Sequence, residues 1–172
     1  MLKLIFKNIT LTIFLAVSLI MVSHILGYNT VRHDIGEILR NGIIFILWSG
    51  IFATIVQSRL IQPNEHSFVR GFSTGAAFSA CFSIIFSIAM AAYQTMINPT
   101  FFSTYRAHKL AQLERAGIKD QALLIQMRKF DLLFNGEILS YILLFLLMMM
   151  GAFLISAIAA FLYRNPLPND RK

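Results

Sequence analysis

The stretch that decides the fold of this chain is residues 71–92, GFSTGAAFSACFSIIFSIAMAA, which carries no charged side chain. A helix rises 1.5 Å per residue, so about 20 apolar residues cross a hydrocarbon core about 30 Å thick. The segment is long enough to span a membrane. Its first five residues, GFSTG, also fit the G-x-S-x-G pattern of a hydrolase nucleophile elbow, with Ser73 in the nucleophile position. The two readings demand different surroundings. An elbow needs a strand before the serine and a sheet around it, and this chain offers neither. A helix needs only a consistent face, and one is present. Gly71, Gly75, Ser79, Ser83, Ser87 and Ala91 recur every four residues and stack along one side. In lipid, helices gain little by hiding apolar surface from one another, so small residues that let backbones approach drive association. Ser73 lies off this ridge, beside Ala76, Ala77 and Ala80. Phe78, Phe82 and Phe86 form a second row directed elsewhere.

The rest of the chain fits a membrane setting. Of 172 residues, 57% are hydrophobic and 13% charged, against about a quarter charged in soluble domains. The charges cluster, leaving spans at about 5–26, 40–60, 71–97 and 138–163. The expected fold is an all-α membrane protein, one polytopic domain with four transmembrane helices. The first resembles a signal peptide, with Lys3 and Lys7 before an apolar run. That run outlasts a typical h-region, and SHILGYNT offers bulky residues where cleavage needs small ones, so an uncleaved helix is expected. Partners for the ridge exist. Ala152, Ser156 and Ala160 repeat at four in the last span with Gly151 beside them, and Gly42, Gly50, Thr54 and Ser58 line the second. The first span offers no such row, which predicts a place at the bundle edge with the third helix as hub.

One connection is long, about residues 98–137, and such connections usually carry structure or function. It opens INPTFF, where Pro99 biases Asn98 away from helix and ends the third span. Helices are expected from about 101 to 116, ended by Gly117, and from Asp120 to about 134, before Asn135–Gly136. In the second of these, Leu123, Met127, Phe130 and Phe134 share a face, with Arg128 and Lys129 off it. This amphipathic helical hairpin, about 100–135, has two open uses. It lies in the membrane interface with basic side chains snorkelling to head groups, or it docks on a protein partner or a second copy of the chain.

Signals for chemistry are sparse. The net charge of +7 is spread over every connection and both tails, which excludes a nucleic-acid stripe. Cys81 is alone, and no metal or cofactor motif is present, so neither a metal nor a cofactor is expected. His33–Asp34 and Glu65–His66 read as solvated loop neighbours, and Glu137 suits the start of the last helix. An even number of spans puts both termini on one side. Then Ser73 and His24 sit at opposite faces of the membrane, and no base is left for a serine nucleophile. The centres of the spans hold no ionisable residue, so a transport reading rests on a hydroxyl line along Ser79, Ser83 and Ser87. Basic residues divide seven against eight: Lys3, Lys7, Arg59, Arg70, Arg164, Arg171 and Lys172 against Arg32, Arg40, Arg106, Lys109, Arg115, Lys119, Arg128 and Lys129. The basic flank and tail favour cytoplasmic termini.

The order of a short first hairpin, SFVRGFSTGAAFSACFSIIFS, INPTFF, a helical pair around AGIKDQ and a long last span resembles the bacterial membrane family known as domain of unknown function 4199. The resemblance covers most of the chain and is best from about residue 65 to 164. It implies a four-span inner-membrane protein with an extramembrane helical insert, and it carries over no catalytic or binding residue. The function expected from all this is a non-catalytic interaction or assembly module. A small-solute or ion pathway is the alternative, and an intramembrane hydrolase at Ser73 comes last.

Overall fold

A computed structural model describes residues 1–63, 67–133 and 138–164. All regular structure among them is helical: α1 (Leu2–Ile25), α2 (His33–Ile61), α3 (Phe68–Ala92), α4 (Phe101–Arg115), α5 (Asp120–Leu133) and α6 (Ile138–Leu162). A π-helical turn, Tyr93–Ile97, continues α3. Four segments are long and apolar enough to cross a membrane, namely α1, α2, α3 with its π turn, and α6. The chain is a multi-pass membrane protein.

Local chemistry sets the helix ends. Ser67 caps α3 by accepting a hydrogen bond from the Arg70 amide. Asn98 donates its backbone N–H to the Tyr93 carbonyl, closing the π turn at 2.8 Å just before Pro99. Gly117 follows α4 at φ +77°, a left-handed conformation that glycine adopts without strain. There the Ile118 amide reaches back to the Leu113 carbonyl at 3.1 Å. One boundary departs from expectation. α2 begins at His33, well ahead of residue 40, because the helix continues upstream through Asp34, Glu37 and Arg40.

Within the bundle, α2 and α3 each touch all three other spans, while α1 and α6 stand on opposite flanks of that pair. The hub is therefore α2 together with α3. Two rows of α3 are buried. Phe78, Phe82 and Phe86 stack in series, ring centroids 6.3 and 5.4 Å apart. Phe78 meets α2 where Gly50 leaves no room, since a Cβ there would lie 2.5 Å from Thr12 Oγ1 and 2.7 Å from the Phe78 ring. The small-residue row turns to α6. A Cβ at Gly75 would sit 2.7 Å from Ser156 Oγ. Gly71, Gly75, Ser79, Ser83, Ala152, Ser156 and Ala160 are buried, whereas Ser87 and Ala91 are half-buried. Gly151, read as part of the same surface, has nothing within 4 Å of where a Cβ would stand.

Serine hydroxyls add less across this contact than their proximity suggests. Ser79 donates to the Gly75 carbonyl and Ser156 to the Ala152 carbonyl, each at 2.7 Å. A hydroxyl has one proton, so the 3.4 Å approach of Ser79 to Ser156 is a packing contact with no proton left to share. Hydrogen bonding instead joins α1 to α2. Thr54 gives its proton to the Gly50 carbonyl and therefore accepts from Asn8 Nδ2 at 3.0 Å; the same amide reaches Gln57 Oε1 at 3.1 Å. α1 thus has a buried row after all, with Asn8, Thr12, Ala16 and Ser23 among its members. The expected edge position of the first span agrees with these contacts, while the expected lack of a packing row is corrected. Its polar members make contacts across the interface.

α4 and α5 pack on each other around Phe101, Tyr105, Met127 and Phe130, with Leu123 half-buried beside them. The face expected to meet a membrane or a partner is occupied by α4. This is a correction with a simple cause: a helix of 14 residues turns its most apolar stripe to the nearest matching stripe first. Phe134, like Glu65–His66, Asn135–Gly136 and Glu137, lies outside the described residues.

Candidate functional site

At one end of the bundle, α4 docks onto the first turns of α2 through a seam of aromatic, histidine and arginine side chains. His33, Glu37 and Arg40 follow at i, i+4 and i+7, which places them on one helix face. From α4 come Phe101, Thr104, Tyr105 and His108. The Arg40 guanidinium lies over the Tyr105 ring at 4.5 Å and near the Phe101 ring at 5.6 Å. Tyr105 donates its hydroxyl to Glu37 Oε1 at 2.9 Å. Burial pushes the Tyr105 phenol above its usual range against the opposing pull of Arg40, and the bond to Glu37 adds to the rise. The phenol therefore stays a donor.

His33 is 2% exposed, so the expectation of a solvated loop histidine is corrected. Thr104 spends its hydroxyl proton on the Thr100 and Phe101 carbonyls at 3.0 and 3.1 Å. His33 Nε2 and Thr104 Oγ1 are hydrogen-bonded to each other at 3.0 Å. Among the described residues, His33 Nδ1, His108 Nε2 and one terminal nitrogen of Arg40 are buried without a hydrogen-bond partner. The rings of His33 and His108 lie 5.5 Å apart.

The seam continues toward α1 and α3. Arg40 donates to Asn29 Oδ1 at 3.2 Å. Asn98 Nδ2 donates to the Asn29 carbonyl at 3.0 Å and to Tyr93 Oη at 3.1 Å. Tyr93 Oη is also hydrogen-bonded to His24 Nδ1 at 3.1 Å. The π turn earns its place here, because it sets both Tyr93 and Asn98 into this network.

Chemically, the seam holds a fixed cation, a carboxylate already engaged by Tyr105, and two imidazole edges. Among the described residues no group of three or more His, Cys, Asp or Glu side chains assembles as a metal site. Ser73 is exposed on the outer surface of α3, and His24 is bound to Tyr93 at the far end of that helix. Sequence reasoning missed the seam because charged residues 33–40 read as a connection. The signal was available: the row His33, Gly36, Ile43, Leu47, Gly50 runs on into the buried face of α2.

Four apolar spans joined by such a seam to a pair of shorter helices define a polytopic membrane protein with an ordered polar end. Residues 6–165 match the family described as "Protein of unknown function (DUF4199)", and the chain belongs to that family. Neither a curated protein nor a solved structure matches it.

Proposed function

We propose that the protein is a non-catalytic interaction and assembly module of a bacterial inner membrane, with cytoplasmic termini. Its bundle, packed through the small-residue ridge of α3, presents the α4–α5 hairpin in one orientation to a protein partner or a second copy. The observation that carries this reading is the seam. A hairpin that merely linked two spans would need no Arg40–Tyr105 stack, no Tyr105–Glu37 bond and no His33–Thr104 bond. Holding a binding surface still removes ordering cost from association. The buried positions of Met127 and Phe130 move the working surface to the outer sides of both helices.

A photo-crosslinker at the exposed Gln112 of α4, used in native membranes, tests this. The expected result is one recurrent adduct that is lost when Arg40→Gln undocks α4. No adduct, or a smear unaffected by Arg40→Gln, would overturn the reading. A small-solute or ion pathway is the second reading, favoured by the Ser83 and Ser87 hydroxyls, which are buried without a hydrogen-bond partner among the described residues. It requires flux in proteoliposomes that Ser83→Leu abolishes. Flux no greater than that of empty vesicles across a broad solute panel removes it.

A further inference from the structure

The inner face of α5 is spent on α4, yet the helix has a second apolar row. Gln121, Ile125, Arg128 and Leu132 follow at i, i+4, i+7 and i+11, with Leu124 and Lys129 alongside. Leu124, Ile125 and Leu132 are 72%, 50% and 57% exposed. Arg128 and Lys129 are exposed among them. The nearest acid, Asp131 at i+7 from Leu124, already has its charge offset by α4, where its two oxygens meet the Arg106 guanidinium at 2.8 and 3.1 Å. Asp120 stands at the far end of the helix.

We infer that the outer face of α5 is a docking surface for an anionic bilayer, with Leu124, Ile125 and Leu132 inserted at the head-group level and Arg128 and Lys129 paired with lipid phosphates. This rests on the hairpin being the exposed working part and names what one side of it binds. Two observations select lipid over another occupant. The first is charge: two cations among exposed leucine and isoleucine, with the nearest acid already paired to Arg106, is the pattern of an interfacial helix attracted to acidic head groups. The second is continuity. α5 packs against α6, whose first turns leave Ile138, Leu139 and Ile142 exposed. α5 thus lies beside a membrane-spanning helix whose own first turns are apolar and exposed. Long basic side chains extend to the phosphates while their stems lie along apolar surface.

The test places a fluorescent label at Gln121→Cys in a Cys81→Ser background. The full chain is reconstituted in phosphatidylcholine vesicles, with or without phosphatidylglycerol. Iodide quenching should fall severalfold when phosphatidylglycerol is present and recover in high salt. Arg128→Gln and Lys129→Gln should each lower the embedded-to-exposed ratio about fivefold. Equal quenching in both lipids would overturn the inference. So would protection that follows protein density rather than lipid charge, which would assign the face to a second copy. Should either variant misfold, the salt and lipid series on the labelled chain that keeps Arg128 and Lys129 decides alone. Failure here leaves the Gln112 adduct unaffected, so the two ideas fall separately.

Discussion

At the residue scale, Tyr105 joins the seam to the hairpin, and its chemistry gives a pH dependence. Burial raises the phenol above its ordinary value of 10.0. A group whose folded value is raised stabilises fully below the unfolded value, and that contribution is lost as pH climbs through the folded one. Protease cleavage within α4 should therefore rise above about pH 10 in the wild type. Tyr105→Phe has no hydroxyl to titrate and should lack that component of the rise. At neutral pH the same variant forfeits a hydrogen bond to a carboxylate, about 1.5–3 kcal/mol, visible as a lower Tm in detergent. Identical pH profiles for both proteins would place the phenol outside the docking energetics. Ser73 is the opposite case. Twenty residues separate it from Tyr93, about 30 Å along a helix, and Tyr93 is where His24 is bound. A fluorophosphonate probe should leave Ser73 unlabelled, and Ser73→Ala should change stability by less than about 0.5 kcal/mol. Stoichiometric labelling would restore the nucleophile.

At the element scale, the α3–α6 contact predicts a contrast between two glycines. Gly75→Ala forces a methyl to within 2.7 Å of Ser156 and should cost about 1–3 kcal/mol. Gly151→Ala meets nothing within 4 Å and should be neutral, or stabilising by up to about 1 kcal/mol through helix propensity. Melting both variants in one detergent checks this, and equal shifts would dissolve the ridge. Across the bundle, Asn8→Leu should cost about 0.6–2 kcal/mol by removing the bonds to Thr54 and Gln57. Thr54→Val should add little on top of it, because the pair acts as a unit. The α3 row was legible because period four in Gly, Ser and Ala has one meaning in lipid. The α1 row was not, since Asn8 and Thr12 count as polar until a partner is seen across the interface. The same holds for α5. An apolar face announces that something covers it, and Met127 gives no hint that the cover is Tyr105 and Phe101 of the preceding helix.

At the scale of the whole molecule, lipid contact and internal packing divide the apolar surface. Phe14, Phe45, Ile88, Leu147 and Leu154 stand largely exposed on the spans, as the medium requires. The chain should remain in the membrane fraction through a carbonate wash and stay monodisperse only with an amphiphile. Recovery as a folded monomer in plain buffer would refute the spans themselves. What the sequence determined by itself was the solvent, the four spans, the ending of α3 before Pro99 and the stop at Gly117. Each of these follows from run length, charge or backbone preference within a few residues. Only the tertiary structure decided that α2 shares the hub with α3, that α4 consumes the inner face of α5, and that a seam fastens the pair to the bundle. His33 and Thr104 are separated by 71 positions in the chain. Whether they meet depends on how preformed helices dock, and no local property of either segment encodes that.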